Sequence, residues 1–205
     1  MKRKWIGIDI THLAIALIKH RLAAAFGDKI KKTYKVIGEP VDMGGAEQLA
    51  KDDPYQFQWW ALGLVDARPV EQKKGADRGI DGKIFFHDEA ESAGTKQIML
   101  SVKAGHTNVA HVRDLRGVVE REKAEMGALI CLQEPTQPMR TEAAEAGFYT
   151  SPWAGTKHPR LQIVTVRELL EGKTLDRPAE QVMANVTLKR APKAKRAEGQ
   201  QIGMA

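Results

Sequence analysis

An aspartate, a serine and a lysine pose the first chemical question. Asp81 lies in Gly79-Ile80-Asp81-Gly82, and Ser101 and Lys103 end the run Gln97-Ile98-Met99-Leu100-Ser101-Val102-Lys103. A carboxylate is a hard-oxygen ligand for a divalent cation, which can acidify a bound water and neutralise the charge that develops on a phosphodiester under attack. A lysine ammonium beside that cation can hold the attacking water and the phosphate. The pattern therefore predicts metal-assisted phosphodiester hydrolysis, provided that the three side chains meet.

They meet only if two strands pair. Ile80 to Phe86 reads as one strand and Gln97 to Lys103 as the next, with His87 to Thr95, rich in small and acidic residues, as the hairpin loop. A period of two puts Gln97, Met99, Ser101 and Lys103 on one face and Ile98, Leu100 and Val102 on the other. On pattern alone a solvated hairpin accounts for these residues as well, because an Asp in a turn and a Lys at a strand end are common.

The remaining elements follow from caps and periodicity. Thr11 is placed to cap a helix carrying Leu13, Leu17, Ile18 and Leu22, after a short buried strand Trp5 to Ile10. Tyr34 to Ile37 is a second extended stretch, and a boundary is expected near Lys51. Asp53 and Pro54 open a helix running to about Val65. Further helices are expected over Val112 to Glu125, Thr141 to Ala146 and Arg167 to Leu170, with strands over Ala128 to Leu132 and Leu161 to Val166. This alternation predicts an α/β fold, a mixed sheet flanked by helices and preceded by a short βα unit. The expected divisions are 1–52, 53–175 and a mobile basic tail, 176–205, containing Lys189, Arg190, Lys193, Lys195 and Arg196.

The strings GADRGIDGK and QIMLSVKAG resemble the active-site region of the Mrr-like branch of the PD-(D/E)xK, restriction-endonuclease-like nucleases. The resemblance spans roughly residues 53 to 172 and takes in VRDLRGVVERE and MGALICLQEPT. It implies that Asp81 binds Mg2+ or Mn2+, that the Val102 backbone carbonyl joins it, that Lys103 is catalytic, and that the protein is an endonuclease acting on double-stranded DNA. Ser101 stands where the family has Glu or Gln, which leaves three readings open: a water bridges the gap, serine is this subgroup's variant, or activity is weakened. Gln58 takes the likeliest place of an acidic helper on the first helix, a second departure. The alternative function is a DNA-binding module that kept the fold without the acids. Cutting both strands by this chemistry would favour a homodimer.

The opening RKWIGIDITHLAIALIKHRL resembles the strand and helix that follow the glycine motif of amino-methylating DNA methyltransferases, which would give Asp9 a contact to S-adenosylmethionine. The glycine loop itself is missing before Asp9, and Asp52-Asp53-Pro54-Tyr55 fits helix capping better than a catalytic DPPY, so residues 1–52 read as a remnant and no cofactor binding is expected.

Composition sets the outer limits. The 205 residues are 42% hydrophobic and carry a formal charge of +6, an ordinary globular balance that favours polyanionic partners. Lys73, Lys74, Lys83 and His106 are the expected DNA contacts. The single Cys131, in an apolar run, excludes an intrachain disulfide, and no apolar stretch is long enough for a membrane helix; a cytoplasmic protein is expected. His106 and His111 match no zinc spacing, and Trp59 and Trp60 read as packing residues.

Overall fold

Capping side chains start the helices. The Thr11 hydroxyl accepts from the Ala14 N–H at 3.2 Å and opens α1 (His12–Phe26). Asp42 accepts from Gly45 N–H at 2.8 Å at the head of α2 (Met43–Asp52). Asp53 accepts from both Tyr55 and Gln56 N–H at 3.0 Å, with Pro54 as the first residue of α3 (Pro54–Leu64). The computed structural model describes residues 5–70, 79–88, 94–178, 184–185 and 187.

The rest of the chain is β1 (Arg68–Pro69), β2 (Gly82–His87), β3 (Lys96–Lys103), α4 (Val109–Arg121), β4 (Met126–Cys131), α5 (Gln137–Glu145), β5 (Phe148–Thr150), β6 (Lys157–Pro159), β7 (Leu161–Thr165), α6 (Val166–Leu170) and β8 (Ala184–Asn185). The main sheet runs β1-β2-β3-β4-β7, with β8 also on β2. β2 and β3 are antiparallel with Ile84 opposite Ile98, whereas β3, β4 and β7 are parallel. β4 is central and buried at every residue, as a strand covered on both faces must be. The fold is thus α/β, a mixed sheet flanked by helices, as expected.

Two apolar layers enclose the sheet. Ile84, Phe86, Ile98, Leu100 and Val102 face α2, α3 and α6, packing with Ala46, Phe57, Trp60, Leu62 and Leu169. Met99, Leu129 and Cys131 face α4 and α5, packing with Val112, Leu115, Val119 and Met139. Close approach fixes both contacts: a Cβ on Gly82 would lie 2.5 Å from Leu62 Cδ2, and one on Gly127 would lie 2.7 Å from Val119 Cγ2.

Several expectations are corrected. Trp5 to Ile10 is not a buried strand: Ile6, Ile8 and Ile10 are 90%, 90% and 91% exposed, because no strand or sheet face among the described residues receives them. Tyr34 to Ile37 forms no strand. The boundary near Lys51 falls inside α2, whose Ala46 is fully buried in the main core. The short β5–β6 hairpin is an addition. The chain after Leu175 does not simply leave the body, since β8 pairs with β2 and Thr187, 3% exposed, accepts from Phe85 N–H at 2.8 Å. The expected tail lysines and arginines, and Lys73 and Lys74, lie outside the described residues.

Candidate functional site

Asp81 precedes β2, locked in place by its backbone: its N–H donates to Leu100 O at 2.9 Å and its carbonyl accepts from Val70 N–H at 3.0 Å. Its side chain shares the α4-side face with Ser101, as the register requires. Ser101 Oγ donates to Asp81 Oδ2 at 3.1 Å, and Val102 N–H donates to the same oxygen at 2.7 Å. Asp81 is 8% exposed and Ser101 4%. A buried carboxylate needs such donors to offset its lost hydration.

Lys103 ends β3 two residues beyond Ser101, so its side chain starts from the same face, half-buried, while its carbonyl accepts from Leu132 N–H at 3.0 Å. No hydrogen bond or ion pair joins its ammonium to another described residue. Cys131 is its partner across the parallel pair. Burial pushes the Cys131 thiol up to about 11, against the opposing influence of a Thr107 hydrogen bond and of the Lys103 charge. The structure thus brings Asp81, Ser101 and Lys103 to one end of one sheet face.

The other expected contributors stand apart. Gln58 is on α3, which packs on the opposite face of the sheet, against Leu100 and Val102. Val102 meets Asp81 through its N–H, as a donor to the carboxylate. Lys83, two residues on from Asp81, has its Nζ 3.4 Å from Gln97 Oε1 and 3.6 Å from Glu122 Oε2, which offsets its charge. His106 is exposed in the loop after β3. His111 has a structural task, its Nδ1 accepting from Asn108 N–H at 3.2 Å in a capping box that starts α4.

A hard divalent ion bound by protein needs more oxygen charge than the described residues of this face offer. Among the described residues, no group of three His, Cys, Asp or Glu side chains is arranged to hold a metal. Ser101 supplies a neutral hydroxyl, engaged with Asp81, and adds no negative charge for a cation. The residues present do not fit the Mg2+ or Mn2+ site that the nuclease fold implies.

A second polar cluster, at the other end of β2, had no signal in the sequence. Asp88, fully buried, accepts from Tyr149 Oη at 2.6 Å and Ser151 Oγ at 2.8 Å, and Lys96 Nζ donates to Tyr149 Oη at 3.0 Å. Beside it His158 bridges Thr156 Oγ1 at 2.8 Å and Asp176 Oδ1 at 2.7 Å. Both groups tie the β5–β6 hairpin to the rest of the protein. No helix of the described residues is long and apolar enough to cross a membrane.

The family model described as NACHT-associated inactive Restriction Endonuclease 1 matches residues 56–171, which takes in α3 through α6 and the whole Asp81 region. No curated protein matches the chain, nor does any solved structure. The family's description as inactive overturns the expectation of a metal-dependent deoxyribonuclease, and Ser101, which stands on Asp81 where the nuclease pattern has Glu or Gln, gives that correction its physical cause. With more than half of its length matched, the chain belongs to this family of inactive restriction-endonuclease-like domains.

Proposed function

We propose that this protein is a binding module that keeps the restriction-endonuclease fold and engages double-stranded DNA through its phosphates without cutting it. The observation that carries the reading is the asymmetry at the end of β3. Asp81 accepts hydrogen bonds from Ser101 and Val102, whereas the nearby Lys103 ammonium has no acidic partner among the described residues. A site that loses metal-binding acids yet keeps its cation still suits a phosphate, and the +6 charge of the chain favours the same partner.

The family's name couples such domains to NACHT modules, a setting in which a non-cutting domain would act as the recognition part. A methyltransferase partner is left out of the reading, because the Trp5–Ile10 segment that resembles one is solvent-exposed instead of lying inside a sheet.

Fluorescence anisotropy with a labelled duplex tests the proposal. Affinity should fall as salt rises, and Lys103→Ala should lower the log–log slope by about one, the value for one lost phosphate contact. The duplex should stay intact with Mg2+ or Mn2+. Absence of salt-dependent binding at low ionic strength would remove the DNA reading.

A further inference from the structure

The part of the molecule that the DNA reading leaves unexplained is its most apolar exposed surface. Ile6, Ile8 and Ile10 are about nine-tenths exposed, Trp5 is 59% exposed, and Leu13 and Ile18, in the first two turns of α1, are 38% and 39% exposed. Three isoleucines and a tryptophan thus stand in water within six residues of chain. Monomers rarely leave so much apolar surface uncovered. The backbone is largely unspent: among the described residues, Trp5 to Ile10 makes no hydrogen bond to another backbone group, and the Ile10 carbonyl accepts from Gln56 Nε2 at 3.3 Å.

We infer that Trp5–Ile10 is the pairing strand of a homodimer, each copy laying it antiparallel against its counterpart about a two-fold axis through Ile8. The sequence is self-complementary in that register. Ile8 faces Ile8, Ile6 faces Ile10, and Asp9 faces Gly7, so the isoleucines form one continuous apolar face and the two carboxylates avoid each other. A two-fold axis through Asp9 would put like charges opposite, and parallel in-register pairing would set Asp9 beside Asp9, so charge selects against both. The other face is prepared as well: the Trp5 ring lies 6.3 Å from that of Tyr34, and a Cβ on Gly7 would sit 3.5 Å from Trp5 Cζ3. Gly7 therefore leaves space beside the ring where the partner's Asp9 would stand. The pairing satisfies the N–H and C=O groups that point toward the partner strand while removing the isoleucines from water.

Sedimentation velocity of the full chain over about 1 to 100 µM tests the inference, since exchange between monomer and dimer in this range corresponds to a micromolar Kd. The wild type should shift from monomer to dimer. Ile8→Asp, which sets two carboxylates face to face at the axis, should raise Kd by about 100-fold or more, and Ile8→Val should leave it within a few-fold. Ile8 is exposed in the monomer, so the melting of the dilute protein should not change with either variant. Under mild oxidation Ile8→Cys should form an intermolecular disulfide, and Ile37→Cys, at an equally exposed apolar position, should not. A wild type that stays monomeric over the whole range overturns the proposal, as does a dimer that Ile8→Asp leaves intact.

Discussion

Two buried aspartates bracket β2, and they look alike in burial while differing in what sequence patterns promise of them. Asp81, before the strand, sits where a nuclease would hold its metal; Asp88, after it, sits in what reads as a hairpin loop. Each carboxylate accepts from a serine hydroxyl, Ser101 at 3.1 Å and Ser151 at 2.8 Å, and each has a second donor, Val102 N–H at 2.7 Å and Tyr149 Oη at 2.6 Å. A metal-binding carboxylate needs other acids around it; a structural one needs donors. By that criterion both are structural, and what differs between the two ends is the lysine: Lys96 at the Asp88 end donates to Tyr149 Oη, whereas the ammonium of the half-buried Lys103 near Asp81 has no hydrogen bond or ion pair among the described residues.

The largest expected effect falls on Asp88. Asp88→Ala strands the buried Ser151 hydroxyl, unties the half-buried Tyr149 hydroxyl and releases the β5–β6 hairpin, and should lower stability in urea unfolding by about 3 kcal/mol. Asp81→Ala should cost about 2 kcal/mol by the same mechanism, with part of the loss regained by water at the sheet end. This second value breaks or sharpens the comparison, because removing an acid from a working active site commonly leaves stability unchanged or raises it. Ser101→Ala and Ser151→Ala should each cost about 1 kcal/mol, the worth of one hydrogen bond to a charged acceptor shared with a second donor. A stabilising Ser101→Ala would separate the two ends.

A further effect is a pH dependence at the Lys103 end. Burial holds the folded Cys131 pKa at about 11, above its ordinary 9.0. A group with a raised folded pKa contributes stability that is fully present below the unfolded value and lost as pH rises toward the folded one. The wild type should therefore lose more stability than Cys131→Ala between pH 9 and 11, measured by denaturant midpoints on both proteins. Thiol reagents should label Cys131 only on unfolding.

Much of the site frame was legible. The period of two in Gln97 to Lys103 gave the correct faces for Met99 and Leu100, and Asp53-Pro54 marked the start of α3, because both are local rules. The α4 start was placed three residues late: its capping box uses His111 where the usual signature has Glu or Gln. The Asp88 cluster joins residues 61 and 63 positions apart, and β5 and β6 are three residues each, too short for any periodicity to register. Trp5 to Ile10 misled for a different reason. An apolar run states that a surface needs covering, but not whether its own chain covers it. Ser101 was visible as a departure from the nuclease pattern, and its meaning emerged once its hydroxyl was seen donating to Asp81.

The central claim is that Asp81 is an acceptor of protein hydrogen bonds and not a metal ligand. Titration of the chain with Mn2+, following the free-ion signal by electron paramagnetic resonance, addresses it directly. The account predicts no stoichiometric site tighter than roughly millimolar, given that a hard cation needs several oxygen ligands where the described residues of this face supply one buried carboxylate. A single tight Mn2+ site that disappears in Asp81→Ala would contradict it.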